Sequence, residues 1–423
     1  MRVLLVLPAE KSIFNYLVPV TWALRTAGHE VHVASLPRFA STITQAGLTA
    51  VPVGHDRDPW RITENRPEER AALRAGVAAP YDLFDVPGSA TWDYLRDGMT
   101  AAVKGWHRLT NFPMLADLVS YTRYWEPDLV LWEPLCYAGA IAAKACGAAH
   151  GRLLFGIDVF GATRVDYLRT QARQAPADRV DPLADWLGSY ARKYGFDAGE
   201  DLAVGDFTID QLPASLSLDA GLDTVRVQFV PYGGAAVVPD WLKRPAERPR
   251  VALTLGLTAT EVFGGYNVPL SEILLGLSEL DVEVVATVAE DVQRTLPPMP
   301  SNVRMVPYVP WHALAPTCAA VVHHAGAATL ATTARHPVPQ LALHFHFDQP
   351  YLGRKLAEHG AGLEIHTGDA TGGGVRDAVA RLLTEQSFKA RAADLRDEIF
   401  ALPTPNELAG TLEELTAKHR TGS

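Results

Sequence analysis

Short apolar runs rich in branched residues alternate, along this chain, with longer stretches whose apolar positions recur every three or four residues. The first pattern reads as a strand buried on both faces, the second as an amphipathic helix. Arg2 to Leu7 is the first run, and Leu17 to Ala27 is the first helical stretch, with Pro19 in its first turn and Gly28 as its stop. A strand at Glu30 to Ala34, a helix at Ser41 to Ala46 and a strand at Ala50 to Val53 follow. This β-α-β-α-β order predicts a doubly wound parallel sheet. Further on, Ala90 to Arg123 reads as helix, Pro127 to Trp132 as strand, Ala138 to Cys146 as helix and His150 to Phe155 as strand. Asp181 to Tyr194 reads as helix, and Phe207 to Leu218 holds a short strand.

Gly221 to Pro249 interrupts the alternation with Gly233-Gly234, a turn at Pro239-Asp240-Trp241 and a charged run from Lys243 to Arg250, and reads as a linker. The pattern then starts again. Strands are expected at Arg250 to Leu255, Val282 to Val288, Val303 to Tyr308, Ala319 to Val322, Leu341 to Leu343 and Gly362 to Ile365. Helices are expected at Leu270 to Leu280, Trp311 to Pro316, Leu330 to Ala334 and Gln349 to Glu358, and from Val375 onward. The expected fold class is α/β, with two doubly wound Rossmann-like domains and ligand sites at the carboxyl ends of their strands.

Bulk properties narrow the function. At 423 residues the chain exceeds one common core, in keeping with two domains. A net charge of −10 with no basic stripe argues against nucleic acid as the main partner. No run of 18 apolar residues is present, so no membrane span is expected, and Met1 to Leu7 suits a first strand better than a signal peptide. The three scattered cysteines, Cys136, Cys146 and Cys318, fit a reducing cytoplasm and give no zinc spacing.

The chemistry concentrates at Val321 to Asp348, VVHHAGAATLATTARHPVPQLALHFHFD. A strand runs into His323-His324, then into Ala325, Gly326, Ala327, Ala328 and Thr329, then into a helix. That order points backbone N–H groups and the positive end of a helix dipole at an anion, and residues this small let a phosphate approach the backbone. The loop after the first strand, Pro8 to Tyr16, lacks the GxGxxG spacing of a nicotinamide site. Ile13 and Phe14 in that loop, and Trp92 in the aromatic stretch beyond it, are candidates for lining an acceptor pocket; core packing is the alternative for most of those aromatics.

Several blocks carry a family resemblance: RVLLVLP at the start, WEPDLVLWEPL, VPYGGAAVVPDWL, VALTLGLTATE and VPWHALAPTCAAVVHHAG, in this order from Arg2 to about Leu412. In them the chain resembles the actinomycete antibiotic glycosyltransferases of the two-domain GT-B fold, above all the desosaminyl- and mycaminosyltransferases of the macrolide subgroup. The resemblance implies an acceptor-binding domain over 1–220, a linker over 221–249, a nucleotide-sugar domain over 250–402 and a C-terminal helix over 403–423 returning to the first domain. It implies transfer of a deoxysugar from a TDP-deoxysugar to a macrolide or aromatic polyketide acceptor with inversion, in antibiotic biosynthesis, with no cofactor and no metal. Several members of the macrolide subgroup need an activator resembling a cytochrome monooxygenase without haem. The charged insertion after His55 is where such a partner would be sought, and a second copy of the chain is a further candidate partner.

Residue by residue, the resemblance makes His324 the histidine that touches the donor phosphates, with His323 structural. Thr329 is a helix cap, a phosphate contact, or both; Thr258 is a turn hydroxyl or a diphosphate ligand. Trp311 matches the position against which the nucleobase lies, with hydrophobic packing as the equal alternative. Asp348 and Gln349 match the pair that hydrogen-bonds the donor sugar.

Two departures stand out. Ile13 occupies the place of the family's usual general-base histidine, and isoleucine takes no proton. Asp158 is the first substitute candidate, with Glu10 and Glu133 beside it, each requiring burial to raise its proton affinity. A product linked through carbon or nitrogen, or a binding partner that keeps the fold without turnover, would also suit the loss. In the cradle, Ala325 stands where a glycine is common, and alanine restricts φ.

Overall fold

The computed structural model describes residues 1–56, 79–84, 90–256 and 266–420. Contacts divide the chain into two units. One holds Met1–Gln211, Ser217–Gln228 and Pro403 onward; the other holds Leu212–Leu216 and Phe229–Leu402.

In the first unit the apolar runs become seven parallel strands, β1 (Arg2–Val6), β2 (Glu30–Ser35), β3 (Thr49–Pro52), β4 (Leu129–Trp132), β5 (Ala149–Leu153), β6 (Phe207–Asp210) and β7 (Thr224–Arg226), in the order β3-β2-β1-β4-β5-β6-β7. The order reverses between β1 and β4, and such a reversal opens a crevice at the strands' carboxyl ends. Helices α1 (Lys11–Thr26), α2 (Ala40–Gln45), α3 (Trp92–Ala102), α4 (Arg108–Trp125), α5 (Tyr137–Cys146), α6 (Val159–Gln171) and α7 (Pro182–Tyr194) belong to the same unit. With helices covering the sheet, central strands have no wet side, and every residue of β4 is buried.

Three expectations need correction here. The helix after β1 begins at Lys11, because its buried stripe starts at Phe14 and runs through Leu17, Val18, Thr21 and Leu24. Ile13 therefore sits in a helical turn instead of a loop, and Pro19 lies inside the helix, where its missing N–H removes one backbone bond. The helical stretch from residue 90 is broken by a π-helical turn at Val103–His107. Finally, β7 arises where a linker was expected, and α6 fills a stretch for which no element was expected.

The second unit has six parallel strands, β8 (Arg250–Thr254), β9 (Glu283–Thr287), β10 (Val303–Val306), β11 (Ala320–His323), β12 (Gln340–His344) and β13 (Gly362–His366), ordered β10-β9-β8-β11-β12-β13. Here the order reverses between β8 and β11. Its helices include α8 (Leu270–Ser278), α9 (Ala327–Ala334), α10 (Gln349–His359), α11 (Gly372–Thr384) and α12 (Gln386–Phe400). Helix α9 starts at Ala327, three residues before its expected beginning, since alanine is the best helix former and Ala327 and Ala328 follow once Gly326 has turned the chain.

The last helix, α13 (Pro405–His419), belongs to the first unit and packs on α1 and β5, burying Leu408, Ala409 and Leu412. Its start is fixed by a capping box: Thr404 Oγ1 accepts the Glu407 N–H at 3.3 Å, and Glu407 Oε2 accepts the Thr404 N–H at 2.7 Å.

Candidate active site

In the second unit, candidate residues converge on the strand-order reversal. β11 ends on His323, which is fully buried. Its Nδ1 accepts the N–H of Ala325 at 2.9 Å and its Nε2 lies 2.8 Å from Gln340 Oε1. The acceptor role of Nδ1 puts the ring proton on Nε2, where it is donated to Gln340. Burial pushes the imidazole down to about 3, so it is neutral at pH 7. Ala325 adopts φ +61°, a left-handed conformation that the His323 bond holds in place.

Gly326 comes next with an ordinary φ of −63° and no side chain to cap α9. The first N–H groups of α9, at Ala327, Ala328 and Thr329, are thus offered at the helix's positive end. Glycine is required at 326 for room: a Cβ there would stand 2.3 Å from His324 Nε2. On the other side of the ring, a Cβ at Gly256, at the exit of β8, would stand 2.7 Å from His324 Cε1. The two glycines make the slot in which the imidazole lies. Burial pushes His324 down to about 4, with the Thr254 backbone opposing and His346 adding to the effect. At neutral pH it is therefore an N–H donor without charge, beside an uncapped helix start.

Trp311 is tied to the same helix, its Nε1–H donating to Thr333 Oγ1 at 3.0 Å, and Thr333 donates in turn to the Thr329 carbonyl at 2.9 Å. Asp348, 8% exposed, stands at the start of α10. Gln349 braces the loop before it, its Oε1 accepting the Phe345 N–H at 3.0 Å. Thr258 lies outside the described residues.

In the first unit, the carboxylates differ sharply. Glu133 follows β4 at the strand-order reversal, its own N–H donating to the Val6 carbonyl of β1 at 3.0 Å. It is fully buried, and burial pushes its carboxyl up to about 8, against the Leu135 N–H, which donates to Oε2 at 3.1 Å, and the Cys136 thiol. Asp158 is committed elsewhere. Both its oxygens receive the Arg152 guanidinium, at 2.8 and 2.6 Å, and Oδ1 also accepts the Gly161 N–H at the start of α6. Both oxygens are thus occupied by buried donors, which leaves Asp158 less free than Glu133 to meet a substrate. Glu10 precedes α1 and accepts the Ser12 hydroxyl at 3.2 Å.

Ile13 is partly exposed, but Phe14 turns into the core, 1% exposed and edge-on to Phe39 at 5.5 Å. Trp92 opens α3 and lies against Tyr167 at 5.4 Å. Sequence reasoning missed the pair His107–Tyr81, 2.6 Å apart and buried under the π-helical turn; no local pattern signals a π turn. His150, Asp201 and Asp206 come together with metal-ligand spacing. However, Lys144 Nζ already sits 2.7 Å from Asp201, and the Trp132 Nε1–H donates to His150 Nδ1 at 3.3 Å, which leaves the proton on the Nε2 that faces Asp201.

Two parallel sheets of this strand order, one bearing an uncapped helix start beside a histidine, are the architecture of the GT-B class. The solved structures agree: the glycosyltransferase VinC in complex with dTDP matches with a TM-score of 0.87 and 39% identity over 99% of this chain and 100% of that one. The spinosyn forosaminyltransferase SpnP matches with a TM-score of 0.82 and 37% identity over 99% of each chain. The chain belongs to the erythromycin biosynthesis protein CIII-like family, whose N-terminal domain matches residues 22–256 and whose C-terminal domain matches residues 271–415. It is similar to the 10-deoxymethynolide desosaminyltransferase of Streptomyces venezuelae, 45% identical over 99% of this chain and 98% of that one. It is also similar to the tylactone mycaminosyltransferase of Streptomyces fradiae, 42% identical over 100% and 94%. The aclacinomycin-T 2-deoxy-L-fucose transferase of Streptomyces galilaeus is 40% identical over 99% and 97%. The protein is a glycosyltransferase.

Proposed function

We propose that this enzyme moves a deoxysugar from a TDP-deoxysugar to a polyketide-type acceptor, macrolide or aromatic, with inversion and without a metal. The observation that carries the reading is His324, slotted between Gly256 and Gly326 beside the uncapped start of α9. The donor diphosphate would take the N–H groups of Ala327, Ala328 and Thr329 together with the His324 N–H; helix dipole and hydrogen bonds then stabilise the leaving TDP. Trp311 would lie against the base, and Asp348 and the amide of Gln349 would hold the sugar. In the reaction the acceptor oxygen forms a bond to the anomeric carbon as the carbon–phosphate oxygen bond breaks, and the acceptor proton goes to a carboxylate.

Glu133 is the carboxylate we favour, because a proton affinity near pH 8 matches the task, and Glu10 is the second candidate. Trp92 and Ile13 are the acceptor-lining candidates that keep some exposure. An activator protein resembling a haemless cytochrome, a second copy of the chain and a cytoplasmic location complete the reading; among the described residues no helix is long and apolar enough to cross a membrane.

Calorimetric titration with TDP tests the donor site, and absence of binding would sink the proposal. Turnover with a panel of TDP-deoxysugars and aglycones, with and without a helper protein, separates an enzyme from a partner that only keeps the fold. Ile13 and the full burial of Glu133 are what speak for the non-catalytic reading. Acid resistance of the product linkage would reveal transfer to carbon or nitrogen.

A further inference from the structure

The loop between β12 and α10 carries the candidate sugar ligands, and its foundation lies in side chains that no part of the reading so far uses. His344 ends β12 and is 7% exposed. Its Nε2 meets Glu364 Oε2 across the strand pair. In the register of these parallel strands Ala342 pairs with Glu364 and His344 with His366, so all four occupy one face. Helix α10 crosses that face, and it does so through Gly353. A Cβ at 353 would stand 3.1 Å from His344 Cδ2, 3.4 Å from Glu364 Cβ and 3.5 Å from Ala342 Cβ.

Phe345 to Asp348 therefore spans a short bridge whose two ends rest on the same side chain. The chain leaves His344 directly, and it returns over His344 one turn into α10. Within the bridge, Gln349 Oε1 accepts the Phe345 N–H, the Phe345 ring lies 6.2 Å from His366, and Phe347 takes φ +61°. A bridge this short transmits any shift of its footing to Asp348 and Gln349.

We propose that the His344–Glu364 pair, capped by Gly353, is a positioning device that sets where Asp348 and Gln349 meet the donor sugar, separately from the diphosphate cradle on α9. The hydrogen bond to Glu364 fixes the direction of the imidazole, and the glycine sets how closely α10 lies upon it. This inference rests on the proposed reading of Asp348 and Gln349 as sugar ligands.

The test compares affinities for two probes, TDP and TDP-6-deoxyglucose, in wild type, Glu364→Ala, Glu364→Gln and Gly353→Ala. The ratio of the two dissociation constants is the readout, because general loss of structure weakens both probes alike. Glu364→Ala is expected to shift the ratio by about tenfold against the sugar nucleotide, and Glu364→Gln, which keeps a hydrogen-bonding oxygen, by no more than about threefold. Gly353→Ala sits at an ordinary helical φ and keeps the helix, so it reports even if Glu364→Ala folds poorly; it is expected to shift the ratio by about fivefold with the melting temperature maintained. A ratio unchanged in Glu364→Ala and Gly353→Ala overturns the inference. Wild type that binds neither probe refutes the proposed function itself, a result distinct from an unchanged ratio.

Discussion

His323 and Ala325 lock each other: the histidine's Nδ1 accepts the alanine's N–H at 2.9 Å, and the alanine is thereby held at φ +61°. The strain belongs to the alanine alone. Ala325→Gly removes a left-handed cost of about 1–2 kcal/mol and gives back roughly 0.4–1 kcal/mol in unfolded-chain entropy. The variant is expected to be more stable by about 0.5–1 kcal/mol, read as a higher urea midpoint, with TDP affinity unchanged.

One residue later the same chemical change runs the other way. Gly326→Ala meets no backbone strain at φ −63°, but its Cβ would overlap His324 Nε2. The overlap should lower stability by about 1–3 kcal/mol, and TDP affinity should fall by about tenfold or more as the imidazole is driven from its slot. Calorimetry on the two neighbouring variants checks both statements together.

Glu133→Gln separates proton affinity from packing. The wild-type carboxyl is raised from 4.5 to about 8, so its contribution to stability is complete below pH 4.5 and is lost as pH rises through about 8. The glutamine variant should lack this decline and exceed wild type at pH 9, by an amount on the order of 3–5 kcal/mol. If Glu133 is the base, kcat falls by about 10²- to 10⁴-fold and the rise of kcat through about pH 8 disappears. Denaturation at pH 5 and pH 9 and a kcat–pH series provide the two measurements.

Asp158→Asn leaves the Arg152 guanidinium buried without its counter-charge. A loss of about 3–5 kcal/mol in stability is expected. Turnover per folded molecule, measured below the lowered melting temperature, should stay within about threefold of wild type, as expected of a residue that takes no part in proton transfer. A loss of kcat with unchanged stability would restore Asp158 as the base.

His107 and His323 make the fold acid-sensitive. Burial holds each at about 3 against an ordinary 6.5, so the unfolded chain accepts protons that the folded one refuses. Their contribution is complete above pH 6.5 and is lost as pH falls from there through about 3. Melting temperatures should drop steadily below pH 6, and His323→Gln should flatten part of that slope.

Much of the fold was legible because parallel strands buried on both faces leave continuous apolar runs. Val282 to Val288 and Arg250 to Leu255 needed no neighbour to be recognised. Helix starts were less legible: Phe14 opens the buried stripe of α1, yet the polar residues around it read as loop. The strand β7 hides in a stretch whose glycines and prolines signal a linker, since a three-residue edge strand has too few positions to show a period. At the site, His324 and the small residues after it were visible as a pattern. That Gly326 serves clearance and Ala325 bears the strain was not, because both facts depend on where an imidazole from the same turn comes to lie. The pairing of Asp158 was hidden for a similar reason: its partner Arg152 lies near the end of β5, where a sequence pattern gives no sign of the side chain it will meet.

The return of α13 to the first unit has a consequence for biogenesis. The chain passes between units after Gln211, Leu216, Gln228 and Leu402, so the unit begun first at the ribosome is completed last. Until Leu408 and Leu412 emerge, α1 and β5 keep an uncovered apolar face, while the second unit already has all its strands. The nascent chain therefore carries a finished second unit while the first is still incomplete, and that interval is when a chaperone would find its sticky surface.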